Sequence, residues 1–571
     1  MGHFRHTIAS TLIAFCLFSV GIAYPSTLCR CMPTDACWPS SDEWASFNNS
    51  LGGKLVATRP LALPCHEPDY NSTVCSYLQS QWTQPELHDK SSSSIMAASI
   101  ANEACDPFTP VQSSCTLGNM VSYSVNASTP SDFSQTIAFA RTKNIRLVIR
   151  NTGHDYLGKS TGPGGLSIWT HYLKTIDFLN YTSPQYTGPA VKIGAGIQDA
   201  EVYAAADNHN YVVVGGDCAT VGAAGGYTQG GGHSALSSKF GLAADQTLEW
   251  EVIDGNGHFL TATRNQNPDL YWALSGGGGG TYGVVYSLTA KAHPSFSVTG
   301  AVISFSAEGS GADQFFEAVG YYHKLLPGYT AAGGVAIAQI TNTSFLLTPL
   351  TFPNMTADSV TDMLQPFLNR LDEIGISYHM NITESSTFLE HYEALIEPNP
   401  TQLVENAQYG GRFIPLSVIQ ENNDALTAVV RNVTQEGVTF VGIGLNVSAT
   451  VVGDVYNSAH PSWRDAALSV ILTTPWPNGA NISDMETLAT QMTNKWVPSL
   501  TALASESGCY MNEADPHQPD WKQAFYGPNY ASLYSIKMKY DPDHIFYAPT
   551  AVGSDDYEVQ ENGGLCWSRG N

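Results

Sequence analysis

Positive charge is scarce in this chain. Of 571 residues only 25 are Lys or Arg, against 50 Asp or Glu, a net charge of −25. Nucleic acid, anionic membrane surfaces and polyanionic substrates need Lys/Arg, so these partner classes are excluded. Long apolar runs are missing beyond Ile8 to Ile22, so a membrane-spanning protein is not expected. No paired CxxC with accompanying histidines occurs, which argues against a structural zinc site. No GxxxxGK[ST] occurs, and "GGGGGTYG" (Gly276 to Gly283) runs into the strand-like "VVYSLTAKA" rather than a helix. Both common nucleotide-binding motifs are therefore poor fits. Internal repeats and low-complexity tracts are absent as well.

The first 23 residues read as a secretory signal: Arg5 and His6, the apolar stretch, then Gly21 and Ala23 before Tyr24. Ten Asn-x-Ser/Thr sequons, at Asn48, Asn71, Asn126, Asn180, Asn342, Asn354, Asn381, Asn432, Asn446 and Asn481, predict N-linked glycans and an extracellular location. Eleven cysteines occur, Cys16 in the signal and seven between Cys29 and Cys115. In an oxidising compartment these predict a stapled N-terminal region over 24–115, with connectivity left open and Ser91 to Ser94 as a linker.

From 116 to 296 short apolar runs alternate with Gly-rich turns. Phe133 to Lys143 reads as a helix, and Arg146 to Ile149, Val191 to Ile193, Tyr211 to Val214 and Leu248 to Ile253 as strands. "DGNG" (Asp254 to Gly257) reads as a hairpin turn. From 297 to 508, "AVISFS", "GGVAIAQI", "SFLLTPLTF" and "VGIGLNVSATVV" alternate like strands. "TADSVTDMLQPFLNRLDEIG" and "ISDMETLATQMTNKWVPSLTAL" read as amphipathic helices covering one face. The expected class is α+β, with an antiparallel sheet backed by helices forming one wall of a cleft. His391 and Glu393 are expected on a solvated helix face. Residues 509–571 are turn- and aromatic-rich.

The densest signal is Gly215 to Gly232, eight glycines in eighteen residues. Such a stretch lets backbone N–H groups approach a ligand and form nests for anions such as a pyrophosphate. "RNTGHDY" (Arg150 to Tyr156) places a histidine where a strand becomes a turn.

Together, "RNTGHDYLG", "GGDCATVGAAGGYTQGGGHSALSSKFGLAAD", "DLYWALSGGGGGTYGVV" and "NYASLYSIKMKYDP" resemble the vanillyl-alcohol-oxidase/berberine-bridge-enzyme family. With "CRCMPTDACWPSSDEW" they look most like its secreted fungal isoamyl-alcohol-oxidase-like branch. The resemblance implies a two-subdomain FAD-binding domain over 116–296, a substrate domain over 297–508, and a C-terminal segment over 509–571 that returns to the FAD domain.

It also implies roles. Arg150, Asn151, Thr152, Gly153 and Asp155 wrap the FAD pyrophosphate; His154 bonds the flavin 8α-methyl; Cys218 bonds C6. Thr220, Val221, Gly222, Gly225, Gly230 and Gly232 give backbone approach, and His233, Asp245, Val285, Asn529 and Tyr530 complete the contacts. Ala219 and Tyr227 depart from the family's Pro and His. Chemically, neutral His and an accessible Cys thiolate can both attack an electrophilic flavin carbon. A bond at Cys218 would leave nine mature cysteines, one unpaired.

Tyr409 and Arg412, in "ENAQYGGRFIP", are the candidate catalytic residues. Tyr510, Asn512 and Glu513, in "YMNEAD", resemble a family motif near the cleft without an assigned role. The implied reaction passes a hydride from an alcohol carbon to flavin N5, with O2 returning H2O2. A carbohydrate oxidase, with Tyr321, Tyr322, Trp463 and Trp476 as platforms, a flavin-dependent cyclase or dehydrogenase of secondary metabolism, and a non-catalytic secreted glycoprotein are the alternatives.

Overall fold

The computed structural model describes residues 29–568 apart from 103, 400–402 and 405. The signal and Cys16 lie outside the described residues.

Three sheets organise the chain. The first has four strands in the order Leu55–Ala57, Tyr123–Asn126, Leu166–Trp169, Leu147–Arg150, parallel except at the Leu55–Ala57 edge. The strands Leu147–Arg150 and Leu166–Trp169 are mostly apolar and almost wholly buried, as parallel strands covered on both faces are. The helix Pro130–Thr142 covers it. Thr129 and Asp132 close a capping box with Pro130 in the first turn, and Phe133, Ile137 and Ala140 are buried. The second sheet is antiparallel, in the order Ile176–Thr182, Thr187–Gly194, Gly283–Lys291, Thr247–Asp254, Phe259–Ala262. "DGNG" makes its last hairpin, with Gly257 at φ +83°. These two sheets are the two subdomains, and one apolar core joins them.

The third sheet has seven antiparallel strands, in the order Tyr378–Ser385, Val298–Ser306, Ser344–Pro353, Val335–Ile340, Thr439–Gly444, Ala466–Pro475, Ala407–Pro415. Helices Ala312–Ala331, Ala357–Glu373 and Asn423–Gln435 back it. In Ala357–Glu373 the buried side chains are Val360, Leu364, Phe367, Leu368 and Leu371, one stripe at helical spacing. Each contributes on the order of 1.5–3 kcal/mol by leaving water.

Several expectations change. "VGIGLNVSATVV" is a strand only to Gly444; Asn446 accepts from Ser448 N–H, and Ala449–Val452 is a helical turn. His391 is fully buried and bonds Thr351 at 2.9 Å, while Glu393 is exposed. Ser92, Ser93 and Ser94 are buried rather than forming a free linker, and Ser94 bonds His88. The N-terminal region is not a separate unit: Leu55–Ala57 is a strand of the first sheet, and Trp44 and Phe47 pack on Phe139.

Six of the seven early cysteines pair locally, as Cys31–Cys37, Cys65–Cys75 and Cys105–Cys115; Cys29 pairs with Cys566. Among the described residues the free thiols are Cys218 and Cys509. Seven sequon asparagines are exposed; Asn48, Asn126 and Asn446 are half-buried. Among the described residues no helix is long and apolar enough to cross a membrane.

Candidate active site

A cleft of about 1220 Å³, counted to its open mouth, lies where the two FAD-type subdomains meet the segment 510–513. Its floor begins at the strand Leu147–Arg150. Past Arg150 the chain turns through Asn151, Thr152 and Gly153, and Gly153 sits at φ +96°, a conformation that favours glycine. The backbone N–H groups of Thr152, Gly153 and His154 donate to no acceptor among the described residues. Asp155 holds the next turn by accepting from Leu157 N–H, Ser160 N–H and the Ser160 hydroxyl.

The glycine-rich wall packs directly on this turn. A Cβ on Gly222 would lie 2.7 Å from the Asn151 side chain, and one on Gly225 2.9 Å from it. Only glycine lets the two loops close. Gly226 and Gly280 line the cleft and would meet nothing within 4 Å, so their missing side chains leave ligand space. Gln229 ties the second glycine run to the first: its carbonyl accepts from Gly276 and Gly278 N–H, and its side chain donates to Ala224 and Gly225 carbonyls.

His154 and Cys218 share this cleft. His154 Nε2 lies 2.6 Å from Thr220 Oγ1. Burial first, then the positive fields of His88 and Arg150, pull its pKa down to about 4, so the ring is neutral. Cys218 is half-exposed on the cleft but is a thiol rather than the expected thiolate. Burial, then the carboxyls of Asp217, Glu513 and Asp199, push its thiol far up.

Tyr510, Asn512 and Glu513 form the facing wall. Glu513 Oε1 lies 2.9 Å from His233 Nε2, and Asp217 Oδ2 is 4.0 Å from the other ring nitrogen. Burial opposes charge on His233, but Glu513 and Asp217 outweigh it and raise the pKa to about 9. Glu513 Oε2 has no partner.

The cleft therefore brings together Asn151, Thr152, Gly153, His154, Asp155, Cys218, Val221, Gly222, Gly225 and Val285. The other sequence candidates support it or lie elsewhere. Arg150 is buried beneath Gly153 and donates to the carbonyls of Ser91, His88 and Thr152. Thr220 acts through its bond to His154. Gly230 makes room for Asn512, and Gly232, at φ +74°, for Tyr227.

Asp245 faces the substrate domain, held by both guanidinium nitrogens of Arg464 (2.9 and 2.7 Å) and by Asn457 (2.6 Å). Asn529 donates to Ser458 O, and the Tyr530 hydroxyl to Asp555, both off the cleft lining. Arg412 is buried and spends its guanidinium on the carbonyls of Ala504 and Ser505, which removes it as a catalytic candidate. Tyr409 stacks on the cleft residue Tyr156 at 3.9 Å without lining the cleft itself. Of the expected sugar platforms, Tyr322 and Trp463 are core residues, Tyr321 packs on the sheet-domain core, and Trp476 lines a different cavity.

Lys159, Tyr156, Gln229 and Gly226 also line the cleft without having been singled out. Tyr156 and Lys159 lie two and five residues beyond His154, and Gly226 and Gln229 fall inside the glycine-rich stretch.

The residues fit FAD. The unpartnered N–H groups at a positive-φ glycine suit a diphosphate, and the glycine spaces suit a flat ring system. Comparison with known proteins agrees. Residues 121–263 match the family model described as FAD binding domain, and 509–553 the model described as berberine and berberine like. The chain is 64% identical over 570 residues to the FAD-linked oxidoreductase patO of Aspergillus clavatus, covering 99% of this chain and 100% of that one. It is 37% identical to the bifunctional decalin synthase calF of Penicillium decumbens, covering 95% and 96%. The crystal structure of the VAO-type flavoprotein MtVAO615 from Myceliophthora thermophila C1 superposes with a TM-score of 0.90 at 39% identity, over 95% of this chain and all of that one. The chain belongs to the vanillyl-alcohol-oxidase/berberine-bridge-enzyme-like family and is an FAD-linked oxidoreductase.

Proposed function

We propose that the protein is a secreted, glycosylated oxidase of an alcohol, with FAD bonded to both His154 and Cys218. The observation that carries this reading is one cleft presenting both side chains opposite an acid–base pair, Glu513 with His233. FAD, when bound, takes two electrons from a hydroxyl-bearing carbon and passes them to O2, giving H2O2.

The chain's own residues account for the rest. Neutral His154 keeps a lone pair for bonding, with Thr220 fixing the ring. Cys218 remains a thiol until its proton leaves, and Asp217 is its neighbouring carboxyl. Protonated His233 sits against Glu513, the carboxylate of the facing cleft wall and the group assigned here to accept the proton of a substrate hydroxyl. The placement of Tyr322 and Trp463 in apolar cores favours a small or secondary-metabolite alcohol over a sugar. Four disulfides and seven exposed sequon asparagines support export.

Acid precipitation of the purified protein tests the attachment. The pellet should stay yellow; His154→Ala and Cys218→Ala should each keep one link, and the double variant none. A colourless wild-type pellet would refute covalent attachment. Glu513→Gln should retain flavin while lowering kcat for peroxide release across an alcohol panel by about 10²–10⁴-fold. An unchanged kcat would remove Glu513 as the base.

A further inference from the structure

We propose that Lys159 anchors an anionic group of the substrate, a carboxylate being the group that fits, an inference that rests on reading this cleft as the place where substrate meets FAD.

Lys159 lies on the cleft wall, and among the described lining residues it is the one side chain that carries positive charge at neutral pH. His154 is neutral, and Arg150 is off the wall with its donors committed to carbonyls. The Lys159 ammonium has no hydrogen-bond acceptor and no carboxylate within 4 Å among the described residues. The nearby acid, Asp155, spends its oxygens on Leu157 and Ser160.

A half-buried ammonium without a hydrogen-bond acceptor or a counter-ion is costly, and a ligand that brings an anion removes the cost. Burial lowers Lys159 to about 8, against the pull of Asp155, so it remains a cation below that pH.

Its place in the cleft says which ligand. The ammonium sits 5.8 Å from the centre of the ring of Phe525, a buried residue behind the cleft wall. Phe525 belongs to the C-terminal segment, which also supplies Tyr510 and Glu513 to that wall. The N–H groups suited to a diphosphate belong to Thr152, Gly153 and His154 instead. The Glu513 charge is offset by His233 and Asp155 accepts three hydrogen bonds, so these two carboxylates oppose an incoming anion less than bare ones would.

The test uses the flavin-loaded protein, with benzoate and benzyl alcohol as probes and the flavin absorbance change as readout. Wild type should bind benzoate more tightly than benzyl alcohol. Lys159→Met should weaken benzoate by about ten- to a hundredfold, the range of a charge-assisted bond, and leave benzyl alcohol within about twofold. Lys159→Arg should keep most of the benzoate affinity, and Lys159→Gln should behave like Lys159→Met if the methionine variant folds poorly.

Failure of benzoate to bind wild type, or equal weakening of both probes, overturns the assignment. So does a tenfold fall in flavin content in Lys159→Met, which would give the cation to the cofactor's diphosphate. Lys159-dependent benzoate binding in a protein that turns over no alcohol would support the anchor while refuting alcohol oxidation.

Discussion

The seven-stranded sheet domain and the cleft treat polar groups and empty space in opposite ways. In the sheet domain, strands such as Ala466–Pro475 and helices such as Asn423–Gln435 meet through apolar side chains, with Leu426, Val430, Leu468 and Leu472 fully buried. Around the cleft, glycines replace side chains, and Asn151 Oδ1 and Glu513 Oε2 are buried without a partner. An interior polar group left unmatched costs about 1–3 kcal/mol. One half of the molecule therefore gains stability from packing, while the other gives some up to keep a shaped, polar vacancy for a ligand.

The contrast can be broken at the seam between the halves. Asp245→Ala removes the acceptor for Arg464 and Asn457 and leaves a partly buried guanidinium with only the Val447 carbonyl, so stability should fall by about 2–4 kcal/mol. Denaturant unfolding measures this; a loss under about 1 kcal/mol would show that the seam is held by apolar contacts. Within the cleft, Gly226→Ala should leave the melting temperature of the flavin-free chain unchanged and cut flavin loading, since the added Cβ meets only ligand space. Equal loading, read from the flavin-to-protein absorbance ratio, would place FAD elsewhere.

The smallest effect lies among the sheet domain's own unpartnered groups, which include the Tyr322 and Tyr329 hydroxyls. His323 is fully buried with neither ring nitrogen partnered, and burial lowers its pKa to about 4. Unfolded, it titrates near 6.5, so it binds a proton more readily unfolded than folded. The penalty grows as pH falls from about 6.5 toward 4. His323→Leu should add roughly 1 kcal/mol at pH 7 and more at pH 5. A stability gain that did not grow at pH 5 would contradict a neutral, unpartnered histidine.

The sequence was most informative where chemistry demands particular residues in order. The strand into Arg150, the turn at Gly153, His154, and the glycines around Cys218 were all legible, because few residue types tolerate positive φ or such close approach. It was least informative where a side chain's partner comes from a distant part of the chain. Arg412 and Glu513 both looked like cleft residues. Nothing local says that Arg412 meets the carbonyls of Ala504 and Ser505, or that Glu513 meets a histidine 280 residues earlier in the chain. Parity could not separate Cys509 from the other cysteines either. Its solitude depends on which pairs the fold brings together.

The Cys29–Cys566 bond joins residues 537 positions apart. It turns nearly the whole chain into a covalent ring. One cut in any surface loop between those cysteines leaves both pieces attached, so a nicked molecule keeps the facing wall at Tyr510, Asn512 and Glu513 tethered to the cleft it completes. The same ring cannot close until Cys566 has been made, so its formation marks a chain synthesised through the C-terminal segment.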